Sequence, residues 1–284
     1  MTIVVTATSG HLGHLVVEAL LARDVPADRI IATARDVTKI VDLAERGVRT
    51  ARADYADPAS LREAFAGADS LVLVSSSEVG ARGPQHANAI DAAKAAGVSL
   101  IAYTSIPYAD ASAMVMAREH RETEKMLTAS GVPFVSLRNG WYTENYTDQL
   151  PVYLAHGIAG AAGDAEISTA PRADYAEAAA AVVTSDGHAG KFYELGGETL
   201  TMARLAEVVS AESGQDVTYT DLSEEAYAGV LVGAGLPEPM ARALADADAQ
   251  AAASGALHVR ENHLETLIGR RPTPLVDVVR AALA

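Results

Sequence analysis

The sequence predicts an α/β fold: a parallel sheet with helices on both faces, followed by a smaller, mostly helical C-terminal lobe. Three observations carry that prediction. Apolar runs at 3–6, 30–34, 71–74, 98–104 and 132–137 alternate with helical stretches at 12–23, 59–66, 85–96 and 114–129, and each crossover is long enough for the helix that joins parallel neighbours. The strand-like runs are continuous in Val, Ile and Leu, as strands covered on both faces require. Helix punctuation agrees, with Asp57-Pro58 before one helix and Gly97 and Gly131 after two others.

The first strand runs into Thr6-Ala7-Thr8-Ser9-Gly10-His11-Leu12-Gly13, which reads as a tight phosphate-facing turn and a helix start. Gly10 lets backbone N–H groups approach a pyrophosphate, and Gly13 lets the helix pack close to the strand with its positive end toward the anion. Leu12, Leu15, Val16, Ala19 and Leu20 then follow helical spacing. This is the strand, turn and helix of a dinucleotide site, so the sheet is read as Rossmann-type and doubly wound. Ala7 stands where a first glycine is usual, and alanine has less backbone space available.

A short third strand is expected at 48–54. Beyond about residue 140 the pattern loosens into glycine-rich loops, a helix near 174–184, a strand at 191–195 and a mostly helical tail. The expected organisation is an NAD(P)-binding domain at 1–140, rejoined by about 174–196, and a substrate-binding lobe at 141–284. The alanine-rich stretch at 247–256 is too short for a linker, and no internal repeat is present.

With 284 residues, 49% hydrophobic and 21% charged, the chain buries a substantial core. It has no cysteine, which excludes disulfides, thiolate catalysis and cysteine-ligated metal centres, and suits a reducing cytoplasm. No basic-then-apolar start and no apolar run near the roughly 18 residues of a membrane span are present, so a cytoplasmic protein is expected. A formal net charge of −15 repels nucleic acid and anionic membranes, so neither is an expected partner. Local positive groups must hold any anionic cofactor.

Arg35 stands near the end of the second strand, where an acidic residue would grip the ribose of NAD. Its guanidinium, with Lys39 nearby, suits the 2′-phosphate of NADPH, with NADH as the alternative; Asp36 is an opposing neighbour. Asp54 and Tyr55, after the third strand, are placed to meet the adenine. Ligands of open α/β sheets bind at the carboxyl ends of strands, which adds Ser75, Ser76, Ser77, Tyr103 and Thr104 as cofactor contacts and places the Ser105 hydroxyl near the transferred hydride. Thr8, Ser9, Gly10, His11, Leu12 and Gly13 complete the expected cofactor contacts. His11-x-x-His14 has metal-like spacing but lies in the phosphate turn and lacks a Glu partner, so no metal is expected.

Several segments together resemble the NmrA-like NAD(P)H:quinone oxidoreductases, which are atypical short-chain dehydrogenase/reductases. They are the glycine turn, Arg35, Ala53-Asp54-Tyr55, Ser75-Ser76-Ser77-Glu78-Val79-Gly80, Ala102-Tyr103-Thr104-Ser105, Glu119-His120, Thr123-Glu124-Lys125-Met126-Leu127, Arg138-Asn139-Gly140-Trp141-Tyr142 and the tail from Leu267. The resemblance implies a Rossmann domain that binds NADPH and a smaller lobe closing a cleft where quinones are reduced without flavin. Ala7, Asp36 and Ile106-Pro107 depart from the usual pattern.

Ordinary short-chain dehydrogenases pair Tyr-x-x-x-Lys so that the lysine lowers the phenol pKa. Every tyrosine here fails that spacing, and the corresponding helix reads Arg121-x-x-x-Lys125 and His120-x-x-x-Glu124. A quinone needs no strong acid, because its reduced oxygen is a stabilised phenolate and orientation supplies most of the catalysis. The catalytic candidates are Tyr103, Ser105, His120 and Lys125; a packed histidine and a solvated lysine are the structural alternatives. Asn139, Trp141, Tyr142 and Asn145 are the substrate candidates, by stacking on a flat ring and orienting its oxygens, against the alternative of an aromatic cluster joining the lobes. Arg172-Ala173-Asp174 is read as a helix start capped by Asp174, or as a guanidinium near the cleft. The leading function is NADPH-dependent reduction of quinones or similar electron-poor carbonyl compounds by direct hydride transfer. The competing readings are a non-catalytic redox sensor and a ketone or aldehyde reductase using Tyr103, Tyr142 or His120 as acid.

Overall fold

The computed structural model describes residues 1–78 and 80–284; Val79, within the Ser75–Gly80 segment, lies outside the described residues. The chain begins β1 (Ile3–Val5), α1 (His11–Ala22), β2 (Ile30–Ala34), α2 (Val41–Glu45), β3 (Arg49–Arg52), α3 (Pro58–Phe65), β4 (Ser70–Leu73), α4 (Arg82–Ala96), β5 (Leu100–Ser105), α5 (Val115–Ser130) and β6 (Phe134–Asn139). The expected punctuation is present: the Asp57 carboxylate accepts from the N–H groups of Ala59 and Ser60, and Gly97 and Gly131 end α4 and α5 at φ +74° and +76°.

The chain continues through β7 (Trp141–Tyr142), α6 (Glu144–Thr147), α7 (Leu150–His156), β8 (Ile158–Gly160), β9 (Ile167–Ala170), α8 (Arg172–Val183) and β10 (Phe192–Leu195). After these come β11 (Glu198–Leu200), α9 (Met202–Ser213), β12 (Tyr219–Asp221), α10 (Glu224–Gly233), α11 (Glu238–Ser254), α12 (Leu264–Ile268) and α13 (Leu275–Leu283).

The main sheet has the order β10-β6-β5-β4-β1-β2-β3, and all its pairings are parallel. Alternation along the strands divides the interior. Val5, Ala32, Val72, Ala102 and Val135 join Val16, Leu20, Tyr175, Ala179 and Val182 on the α1/α8 face. Val4, Ile31, Leu71, Leu73, Ile101 and Tyr103 join Leu61, Phe65, Ala89 and Leu127 on the α3/α4/α5 face. Strand order reverses between β1 and β4, which opens a crevice at their carboxyl ends.

The loosely patterned region holds more strand than expected. β7, β9 and β11 form a three-stranded sheet, and β8 pairs with β12; strands this short leave little periodicity in sequence. A separate apolar core gathers Trp141, Leu150, Ile158, Leu205, Val209, Ala247, Leu257 and Leu275. Asp174 is not the cap of α8. Pro171 holds the cap position, and both carboxylate oxygens of Glu144 accept the Arg172 N–H at 2.9 and 3.0 Å. The fully buried Asp174 instead accepts from Arg270 Nη2 at 2.7 Å, Thr273 N at 2.6 Å and Thr273 Oγ1 at 3.0 Å, binding the C-terminal tail to α8.

A second buried carboxylate sets a pH dependence. Asp248 in α11 accepts from the Ala161 N–H at 3.0 Å, and burial pushes its pKa up to about 6. A raised folded-state pKa means that stability is fully present below the ordinary aspartate value of 3.8 and is lost as pH rises from there through 6. Asp248→Asn is therefore expected to exceed the parent chain in stability at pH 8 by up to about 3 kcal/mol, with the gap closing toward pH 4. Urea unfolding at both pH values measures this, and a pH-independent difference would contradict it.

Candidate active site

The crevice is a cleft of about 460 Å³. Of the expected cofactor contacts, Ser9, Gly10, His11, Leu12, Gly13, Arg35, Lys39, Asp54, Tyr55, Ser75, Ser76 and Ser77 line it. Thr8, Tyr103 and Thr104 do not. Thr6, Thr33, Val74, Glu78, Gln85 and Arg172 line it as well; of these, Thr33, Val74 and Gln85 have no local motif to announce them.

The turn after β1 is shaped by close approach. A Cβ on Gly13 would lie 2.5 Å from the Ala7 carbonyl oxygen and 2.7 Å from that of Thr6, so only glycine lets α1 start this near the strand. Gly10 has extended backbone at φ −97°, and its N–H donates to Ala7 O at 3.0 Å. Ala7 carries the left-handed conformation at φ +54°, a strain of about 1 kcal/mol for a residue with a Cβ. Gly10 makes no side-chain capping bond and the first turn of α1 has no acidic residue, leaving the turn open to an anion. Thr8 is buried and donates to Thr33 O at 3.0 Å, tying the turn to β2 instead of facing the cleft.

Arg35 directly follows β2 with its guanidinium exposed, and Nη1 meets Glu78 Oε1 at 2.9 Å. Glu78 Oε2 in turn accepts from Gln85 Nε2 at 2.7 Å. Asp36 turns aside: its carboxylate accepts from Thr38 N and Thr38 Oγ1, and these bonds hold it below the usual carboxylate range. Tyr55 donates to Val74 O at 2.5 Å, and burial pushes its phenol pKa up. The Asp54 carboxylate caps its own turn by accepting from Ala56 N.

The serine loop is anchored from below. Ser75 N donates to Thr104 Oγ1 at 2.9 Å, Ser76 N to His86 Nε2 at 3.0 Å, and Arg82 Nε to Ser76 O at 2.7 Å. Because His86 Nε2 accepts, its proton is on Nδ1, which donates to Thr123 Oγ1 at 2.9 Å. Burial holds His86 neutral, with a pKa pushed down to about 3.

The four catalytic candidates lie outside the cleft lining. Tyr103 is fully buried in the α4/α5 layer, 2.7 Å from His120 Nδ1. Burial raises the Tyr103 pKa and drives that of His120 well down, so both are neutral at pH 7. Ser105 shares the Tyr103 face of β5 and donates to Glu124 Oε1 at 2.9 Å. Lys125 lies on the exposed stripe of α5. Strand alternation explains the first two placements, since every second residue of β5 turns toward α5.

The substrate candidates divide. Trp141 packs into the lobe core with Ile106 and Leu150, which is the structural alternative. Tyr142 is half-buried against Tyr175, with ring centroids 5.4 Å apart, and receives a long bond from Asn139 Nδ2 at 3.4 Å. Arg172 lies over the Tyr142 ring at 5.1 Å and donates from Nη2 to Asn145 Oδ1 at 3.3 Å. One guanidinium thus joins Tyr142 and Asn145 to the cleft wall.

The sequence profile described as the NmrA-like family matches residues 1–270. The chain belongs to the NmrA-like family. Among its relatives, quinone oxidoreductase 2 of Escherichia coli (strain K12) is 48% identical over 279 residues, covering 98% of this chain and 97% of that protein. The structure of an NADPH-dependent quinone oxidoreductase from E. coli complexed with NADPH superposes with a TM-score of 0.95 at 47% identity, over all of both chains. A Citrobacter sp. triphenylmethane reductase complexed with NADP(H) gives 0.92 at 36% identity, covering 99% of this chain and all of the other. Among the described residues no group of three or more His, Cys, Asp or Glu could hold a metal ion, and no helix is long and apolar enough to cross a membrane.

Proposed function

We propose that the chain is an NADPH-dependent reductase of quinones or similarly electron-poor carbonyl compounds, acting without flavin, with residues 141–284 forming the substrate-side lobe. The carrying observation is the open turn at Gly10–Gly13 with Arg35 and Lys39 on the same cleft, in a chain similar over its whole length to an NADPH-complexed quinone oxidoreductase. The residues fit the cofactor: the close approach at Gly13 and the uncapped first turn of α1 suit a diphosphate, and the exposed guanidinium suits a 2′-phosphate. When bound, the nicotinamide supplies hydride.

The chain itself binds and orients. Ser75–Ser77 border the cleft on a loop fixed by His86 and Arg82. Tyr103 holds its proton too tightly to serve as a ready acid, and His120 is neutral. That absence of a strong acid favours acceptors whose reduced oxygen water can protonate, and weighs against unactivated ketones. Steady-state NADPH oxidation with several simple quinones is expected to exceed the spontaneous rate. Saturable NADPH binding with no such turnover would favour a redox sensor.

The Arg35 assignment has its own test. Arg35→Ala is expected to weaken NADPH by about tenfold or more, the loss of a charge-assisted contact, with little change for NADH. Glu78→Gln, which removes the carboxylate competing for the guanidinium, should tighten NADPH a few-fold, a surface ion pair being worth up to about 1 kcal/mol. Calorimetric titration reads both; equal effects on the two nucleotides would remove Arg35 from this role.

A further inference from the structure

The cleft has a third cation, and its surroundings differ from those of Arg35 and Lys39. Arg172 opens α8, which runs beside α1 in the same direction: Arg23 just past α1 donates to Thr184 just past α8, while Arg172 shares the cleft lining with Gly10, Leu12 and Gly13. Its side chain is only 15% exposed, and its two ion pairs, with Asp148 and Glu144, are long and carry no hydrogen bond to the guanidinium among the described residues. Asp148 lies 3.6 Å from Nη1. Glu144 lies 4.0 Å away with both oxygens on the backbone N–H of Arg172. Stacking on Tyr142 and the bond to Asn145 fix the plane of the guanidinium without neutralising it.

We propose that Arg172 completes the diphosphate site, its guanidinium donating from the α8 side to the oxygens that the first turn of α1 meets from the other. This rests on reading the cleft as a nicotinamide dinucleotide site. A chain with a net charge of −15 needs local positive charge to hold two phosphates. Arg35 and Lys39 follow β2 and serve the adenosine end. Arg172 supplies charge where the helix offers only N–H groups. Its contacts with Tyr142 and Asn145 couple cofactor occupancy to the substrate-side wall.

The test compares nucleotides that differ in their phosphates, titrated calorimetrically into Arg172→Gln. Dissociation constants for NADPH, NADH and ADP-ribose should rise together by about tenfold, the effect of one charge-assisted contact. Adenosine 2′-monophosphate, which has no diphosphate, should bind as to the parent chain. Arg172→Lys, which keeps the charge, should recover most of the loss. Unchanged affinity for NADPH and NADH in folded Arg172→Gln, an equal loss for the 2′-monophosphate, or no recovery with lysine would each overturn the proposal. A parent chain that bound no nucleotide would instead remove the function on which it rests.

Discussion

Gly13→Ala is expected to abolish measurable nucleotide binding and to cost about 2–3 kcal/mol of stability, the upper range for overpacking. The added methyl would meet the Ala7 carbonyl oxygen at 2.5 Å, the Thr6 oxygen at 2.7 Å and the Ala7 carbonyl carbon at 2.8 Å. All three are backbone atoms at the end of a wholly buried strand, so no side chain can rotate away. Either α1 backs off or the turn distorts, and Ala7 is already at positive φ. Gly10→Ala is the control, because its methyl meets only the Ala7 oxygen, at 3.3 Å. Urea unfolding and calorimetric titration of both variants read the outcome. A Gly13 variant that bound NADPH like the parent would refute close approach as the reason for this glycine.

Arg138→Met is expected to destabilise the chain by about 3–5 kcal/mol, the cost of stranding a buried ion pair. From the end of β6, Nε and Nη2 bind Glu124 at 3.0 and 2.8 Å, and Nη1 binds Glu194 at 2.9 Å and meets Asp110 at 2.7 Å. Ser105 and Ser136 also donate to Glu124, and Glu194 accepts the N–H of Tyr108, itself at φ +49°. Burial raises the Glu194 pKa even with the arginine beside it. Without the guanidinium Glu194 would titrate higher still in the folded state, so the variant loses further stability as pH rises from 5 to 8. Urea midpoints at those two pH values measure it, and a loss below about 1 kcal/mol at both would show the cluster to be dispensable.

The sheet was legible because its signals are local. Continuous apolar runs, Asp57-Pro58 and the terminal glycines each act within a few residues, and the Gly10–Gly13 turn carries its mechanism in its own spacing. The cleft was legible along the turn, Arg35, Lys39 and the serines, which sit at strand ends. Tyr103 and Ser105 also sit there, but the face a strand residue takes depends on what packs above and below. Their partners His120 and Glu124 come from α5. Asp174 looked like a cap because the tail that claims it lies about a hundred positions on, at Arg270 and Thr273. Gln85 carries no motif, and only the assembled walls bring it into the cleft lining beside Glu78 and Arg172.

The edge strand beside β6, β10, is made after the whole excursion through β7, β8 and β9, and its register with β6 runs from Phe192 against Ser136 to Leu195 against Asn139. A ribosome that has released only the first 140 residues therefore holds a nascent sheet with one flank bare and the bed for α8 unfilled. Such flanks invite wrong neighbours. The two halves are in this sense stitched, not strung: neither is expected to survive excision as an independent unit, and a break placed between them should yield fragments that are soluble only when made together.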